Sequence, residues 1–314
     1  MGYSIVDFAT SLNVGRCKIR NTPNLIFLCG GPLSKKHAYK SARDYFNRHL
    51  KIHAPAVAAR VKLAEEVNAW FRGGEFPDLL ELENYLADLA DLTILFVESP
   101  GSIAELGAFA ASDILRPKTL PVLNTFYAPD RTFISDGPVQ KLKNEDPRLV
   151  HYYEWDPKRL NSASNLNEFK EMAEALTKFL HARDKDRSKE QAFQKDKHGH
   201  ALLMVANLLE VAGVATTTEI AQCLEVLGCD DFSHAQVKRY LSLLESMSFI
   251  KTAFRSNQAF YVVAIAESFI HFGYKSDAPK KEQRAIKTAV RAALDPVAKK
   301  ILANSLGKKG TCRV

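Results

Sequence analysis

The stretch Leu92-Thr93-Ile94-Leu95-Phe96-Val97-Glu98-Ser99-Pro100-Gly101-Ser102-Ile103-Ala104-Glu105-Leu106-Gly107-Ala108-Phe109-Ala110-Ala111 decides the fold. It opens with a short apolar run of the kind that forms a buried strand. Pro100-Gly101 then turns the chain, and small residues begin a helix. Open α/β sheets bind ligands at the carboxyl ends of their strands, where backbone N–H groups can hold phosphate or ribose. A carboxylate beside a sugar stabilises or attacks a cationic anomeric carbon. The expectation is an enzyme that breaks an N-glycosidic bond, with Glu105 at its centre. Two plainer readings stay open. Ser102 and Glu105 are spaced as a capping box, in which both side chains serve helix amides. The small residues Gly107, Ala108, Ala110 and Ala111 admit either a ligand or a closely packed strand.

Outward from this stretch, the first part of the chain reads α/β. Leu25-Ile26-Phe27-Leu28-Cys29 is a buried strand ending in Gly30-Gly31-Pro32. Helical patterns follow at 39–50, 56–71 and 79–89, with Leu79, Leu82, Leu86 and Leu89 at helical spacing. Strands are expected at 120–123 and 150–153, and an amphipathic helix at 169–180. Strands alternating with helices argue for a parallel sheet covered on both faces, with this domain spanning 1–180. Asp91 either belongs to the site or only stops a helix before its strand. Cys29 is read as a buried small hydrophobe.

A charged linker is placed at 181–198, either irregular or a helical continuation. The next region, 199–275, changes character. Helices are expected at 201–211, from Thr217 and from Phe232, then a hairpin turning at Arg255-Ser256-Asn257-Gln258. That order describes a winged helix-turn-helix. Its third helix would present His234, Gln236, Lys238 and Arg239 to a groove, and its wing Lys251, Arg255 and Asn257 to phosphates. The remaining 276–314 form a basic helical tail, either an arm on a polyanion or a soluble end.

Composition bounds the rest. The chain has 314 residues, a net charge of +7 and 46% hydrophobic residues, as expected of a two-domain globular protein. The basic balance permits a nucleic-acid partner. No run is long and apolar enough to span a bilayer. The first residues lack a signal-peptide pattern, and Val6 stands where myristoylation needs Ser or Thr. Five scattered cysteines suggest neither disulfides nor a zinc site, and fit a reducing cytoplasm. His198-Gly199-His200 is read as solvent-facing, and no metal is expected.

The Gly-Pro turn after the first strand and the Gly101-Ser102-x-x-Glu105-Leu106-Gly107 motif resemble nucleoside 2-deoxyribosyltransferases and related N-glycosidases. The resemblance implies a flavodoxin- or Rossmann-like sheet and makes Glu105 the nucleophile. It places Glu83 as a partner that orients Glu105 or binds ribose hydroxyls, though a water-facing Glu83 is equally open. The family's Asp six residues before its nucleophile is Ser99 here, with Glu98 one position earlier. Substrate contacts would come from Gly30, Gly31, Pro32, Asp91, Pro100, Gly101 and Ser102. Phe27-Leu28-Cys29-Gly30-Gly31, Leu82-Glu83-Asn84, Glu98-Ser99-Pro100-Gly101-Ser102 and Phe133-Ile134-Ser135 further resemble the effector toxins of type II retrons. That likeness implies NAD as a substrate, with no cofactor. It implies a toxin held inactive by a reverse transcriptase and its msDNA, the RNA-linked single-stranded DNA, and released by phage attack. It also implies a dimer or higher oligomer in the cytoplasm. Two alternatives remain: an N-glycosidase or deoxyribosyltransferase acting on nucleosides or nucleotides, and a DNA-binding regulator that senses a nucleotide.

Overall fold

The computed structural model describes residues 3–20, 24–66, 76, 81, 82, 85, 89–125, 131–186, 190–229, 233–265, 267–275 and 283–307. Backbone contacts divide the chain into two units. One comprises Pro23–Ala69 and Asp78–Ser188; the other comprises Met1–Thr22, Trp70–Pro77 and Lys189–Val314. The first 22 residues therefore fold with the C-terminal unit, whereas the sequence division at 180 grouped them with the sheet. Helix α1 (Ile5–Thr10), closed by a Ser4–Asp7 capping box, and strand β1 (Lys18–Arg20) are too short to stand out as periodic patterns.

The first unit is a five-stranded parallel sheet. Its strands are β2 (Leu25–Cys29), β3 (Val61–Leu63), β4 (Ala90–Val97), β5 (Thr119–Asn124) and β6 (His151–Tyr153), in the order β3-β2-β4-β5-β6. All four pairings are parallel. Strands buried on both faces read as continuous apolar runs rather than alternating ones, and every residue of β2 and β5 is buried. Alternate residues still choose opposite faces. Ile26, Leu28, Ile94, Phe96, Leu120 and Val122 share one core with Phe46 and Leu50 of α2 (Ala42–His53) and Phe169, Met172 and Leu176 of α4 (Ala163–Asp186). Helix α3 (Pro100–Ala111) packs on β4 and β5, burying Leu106, Phe109 and Ala110.

Counted within this sheet, the order is 2-1-3-4-5, that of flavodoxin-like doubly wound folds. The order reverses between β2 and β4, which puts the ligand crevice beside Cys29 and Val97. Strand β3 falls within the helix expected at 56–71. There the chain makes a short helix, Pro55–Ala58, and then an edge strand only three residues long. Most of the helix expected at 79–89 lies outside the described residues. Helix α4 continues into the first third of the proposed linker, to Asp186.

The second unit carries α5 (His198–Ala212), β8 (Val214–Ala215), α6 (Thr217–Val226), α7 (His234–Ser246), β9 (Ile250–Arg255) and β10 (Gln258–Val263). Strands β8, β10 and β9 pair antiparallel in that order. The β9–β10 hairpin turns on Ser256 and Asn257, at φ 45° and 64°, as expected from the sequence. Two consecutive positive φ values suit a two-residue turn between twisted strands. Strands β1, β7 (Glu190–Ala192) and β11 (Ile270–His271) form a second small sheet.

The described part of the C-terminal segment, 283–307, is no free arm. Ile286 and Val290 of α8 (Gln283–Ala293) are buried, and α8 packs against α5. Arg291 donates to the Glu210 and Val211 carbonyls that end α5, where cations offset the helix dipole. Helix α9 (Pro296–Gly307) adds Ile301 and Leu302 to a core with Val214 and Phe260. No described helix is long and apolar enough to cross a membrane.

Candidate active site and candidate nucleic-acid interface

At the crevice, β2 ends on Gly30 with φ +128°, where a Cβ would lie 2.4 Å from the Phe96 carbonyl oxygen. Glycine is required there by the approach of β4, a reason internal to the fold. A Cβ on Gly31 would meet the Glu98 carboxylate at 2.6 Å. Glu98 reaches across the switch point to the head of α2. Its two oxygens accept from the Ala42 and Arg43 amides at 2.9 and 3.1 Å, and the Gly31 backbone adds a further hydrogen bond. Burial pushes its carboxyl up, against those donors and the Arg43 charge, which hold it down. Glu98 thus closes the N-terminus of α2 with its carboxyl group. Both oxygens of this residue, expected as a catalytic group, are hydrogen-bonded to the head of α2.

The head of α3 is also closed, though not by the pair expected. Ser99 is the N-cap, and its hydroxyl accepts from the Ser102 amide at 3.2 Å. The Ser102 hydroxyl in turn accepts from the Ser99 amide at 2.9 Å. The capping box is therefore Ser99–Ser102 rather than Ser102–Glu105, so Ser102 is spent on the helix and Glu105 is not. Pro100 and Gly101 are exposed in the first turn.

Glu105 follows one turn later, half-buried. Its Oε2 is buried with no hydrogen-bond partner among the described residues. Burial pushes its carboxyl up to about 7; the Arg43 charge pulls it down and Glu65 pushes it up. A carboxyl pushed up toward neutrality by burial is the kind of group that active sites tune.

Arg43 and Glu65 are the site residues missing from the sequence reading. Arg43 is fully buried. Its guanidinium grips Glu65 through two hydrogen bonds of 2.8 and 2.7 Å. It also donates to the Leu28 and Gly31 carbonyls at the end of β2. Its position was the signal: a cation in the first turn of a helix opposes the dipole and so calls for a nearby anion. Of the remaining residues, Pro32 is exposed, and its carbonyl accepts from Ser41. Cys29 is buried at 1% exposure. Glu83 lies outside the described residues. Asp91 stands at the amino end of β4, roughly 20 Å of strand from Val97, so it does not share the crevice. Among the described residues no group of His, Cys, Asp and Glu is placed to hold a metal ion.

In the second unit, His234 and Lys238 are exposed on α7, and Lys251 and Arg255 on the hairpin. Phe254 between them is 73% exposed. Gln236 does not face outward. It is buried, and its side chain lies 3.3 Å from His198 Nδ1 and 3.5 Å from the Tyr240 hydroxyl. Arg239 donates to Gln236 and lies over the Phe76 ring. His198-Gly199-His200 is likewise inside rather than solvent-facing: Gly199 and His200 are buried, and His200 accepts the Gln194 amide.

A family model described as STM3845 retron effector protein matches residues 39–252, more than half of the chain. The chain belongs to this retron effector family. The match runs from the head of α2, through β4 and α3, into strand β9 of the second unit. Among curated proteins, two from Escherichia coli are similar, those of retrons Ec86 and Ec73, each named "putative ribosyltransferase/DNA-binding protein". This retron effector is 34% identical to the first over 40% of its own length and 39% of that protein's. It is 31% identical to the second over 42% of each. The alignments thus span about two fifths of these relatives.

Proposed function

We propose that this retron effector is the toxin of an anti-phage defence system and cleaves the N-glycosidic bond between nicotinamide and ribose in NAD. The observation that carries this reading is Glu105, a half-buried residue whose Oε2 is buried with no hydrogen-bond partner among the described residues, one turn into the helix that follows β4 at the switch point. The family match and the ribosyltransferase in the relatives' names support a glycosyl-transfer chemistry.

Ionised Glu105 stabilises the oxocarbenium-like carbon as the C–N bond breaks, or bonds to it from the opposite face. The bonding pair leaves with the pyridinium nitrogen, so nicotinamide departs neutral and needs no proton. That agrees with Glu98 being committed to α2 rather than poised as an acid. Water then attacks the same carbon and releases ADP-ribose, its proton passing to solvent.

The second unit is proposed as a winged helix-turn-helix. The support is the order α5-β8-α6-α7-β9-β10, with β10 central in the small sheet, and the DNA-binding in the relatives' names. It docks the reverse transcriptase–msDNA complex that holds the toxin inactive, and the active form is a dimer or larger. Purified protein incubated with NAD, with chromatography of the products, tests the activity. Nicotinamide and ADP-ribose from wild type but not from Glu105→Gln support it. Free base from deoxynucleotides, with NAD untouched, replaces it with a nucleotide N-glycosidase.

A further inference from the structure

Helices α2 and α3 both begin at the ligand edge of the sheet, and both N-termini are occupied from within. Glu98 fills the first, and Ser99 with Ser102 closes the second. A phosphate arriving at this edge finds the Ala42, Arg43 and Ser102 amides already taken.

The loop between Pro32 and Ser41 borders a cavity of about 840 Å³, within the range of small-molecule sites. The loop is built rather than slack. Arg48 donates to the carbonyls of Ser34, Lys36 and His37 at 3.0, 2.8 and 3.1 Å. Asp44 accepts the amides of Ser34 and Lys40 at 3.2 Å. The guanidinium of Arg48 also lies 4.8 Å from the centre of the Tyr39 ring.

The charges lining the cavity do not balance. Lys35, Lys36, Arg48 and Lys51 face Asp44 and Glu65. Arg48 and Asp44 neutralise each other, and Glu65 is taken by Arg43. Three exposed ammonium groups, those of Lys35, Lys36 and Lys51, are left with no carboxylate partner among the described residues.

We propose that this cavity binds the diphosphate of a nucleotide substrate, with Lys35, Lys36 and Lys51 as its counter-charges. This rests on the reading of Glu105 as the group acting on the sugar. Glu65 links the two places: it lines the cavity and grips Arg43, the cation whose charge reaches Glu105. Lysine serves here as a point charge toward phosphate. On this proposal the substrate is a phosphate-bearing nucleotide, and a bare nucleoside lacks the anchor.

The test is calorimetry on the full chain carrying Glu105→Gln, so that no ligand is consumed. The probes are ADP-ribose, nicotinamide riboside and inorganic pyrophosphate. Adding Lys35→Gln, Lys36→Gln and Lys51→Gln together is expected to weaken ADP-ribose by about tenfold or more and to flatten its salt dependence. Nicotinamide riboside is expected to shift by less than about twofold. Lys40→Gln, on the same loop but outside the cavity lining, is the control for general charge and leaves ADP-ribose binding in place. Equal ADP-ribose affinity with and without the three lysines overturns the proposal, as does pyrophosphate binding that their removal leaves unchanged. Lysine-dependent ADP-ribose binding, in a protein whose wild type releases no nicotinamide from NAD, sinks the glycosidase reading and leaves the anion site standing. Nicotinamide release without lysine-dependent binding does the reverse.

Discussion

Ser99 and Ser102 cap each other at the head of α3, hydroxyl to amide in both directions, and this leaves Glu105 without a structural duty. A carboxylate that must be ionised to meet a cationic carbon works only above its own pKa. Glu105 is held near 7, so kcat/KM for NAD should rise with pH through about 7 and level off above it. Glu105→Gln should lower turnover by about three orders of magnitude or more while nucleotide binding persists. A pH–rate profile with no limb near neutrality would remove Glu105 from the chemistry.

The same residue should cost stability. Its folded pKa lies above the ordinary 4.5, so the folded state holds the Glu105 proton more tightly than the unfolded state does. Stability therefore declines as pH rises from about 4.5 to about 7, and the deficit stays constant above that. Glu105→Gln escapes the deficit. Discounted for partial exposure, the variant should be more stable by about 1–2 kcal/mol at pH 8. The difference should vanish near pH 4. Denaturant titrations at both pH values check this, and equal stability at pH 8 would show that Glu105 is solvated in the folded protein.

Glu98 should behave as a cap and not as an acid. Glu98→Gln replaces one acceptor oxygen with a donor facing the helix amides of α2. The expected loss is about 1–2 kcal/mol, seen as a melting point lower by about 3–6 °C. The acidic limb of the pH–rate profile should stay where it is. A wild-type profile that falls at high pH, with that fall lost in Glu98→Gln, would instead return Glu98 to the chemistry.

How far these roles could be read beforehand depended on the range of the interaction. The β4–turn–α3 unit was legible because its apolar run, its Pro-Gly turn and its small residues are neighbours in sequence. The hairpin at Ser256-Asn257 was legible for the same reason. The closure of α2 by Glu98 was not, because it joins residues 55 and 56 positions apart across the switch point. The Arg43–Glu65 pair was hidden similarly, with Glu65 in a segment that reads as one long helix and is interrupted by β3. Gln236 misled because a polar residue on a basic helix looks solvated, and only its pairing with His198 and Tyr240 reveals burial.

Gly30 gives a sharper structural test. Alanine there must accept φ +128° and place its Cβ 2.4 Å from the Phe96 carbonyl. Backbone cannot yield as a flexible side chain can, so β2 and β4 must separate. Gly30→Ala should destabilise the sheet unit by more than about 3 kcal/mol and leave little folded protein. Circular dichroism melts would show it. A Gly30→Ala variant melting like wild type would mean that β2 ends farther from β4 than described.

The two faces of α7 should separate in a DNA-binding measurement. Lys238 is exposed, while Gln236 is buried against His198 and Tyr240. If α7 enters a groove, Lys238→Ala should weaken binding of a DNA probe and reduce the slope of log affinity against log salt by about 1. Lys251→Ala and Arg255→Ala should do the same from the hairpin. Gln236→Ala strands polar groups inside the unit, and should cost about 1–3 kcal/mol of stability with the salt slope intact. A Lys238→Ala protein with unchanged slope, beside a Gln236→Ala protein that loses DNA without losing stability, would mean that α7 meets its partner by another face.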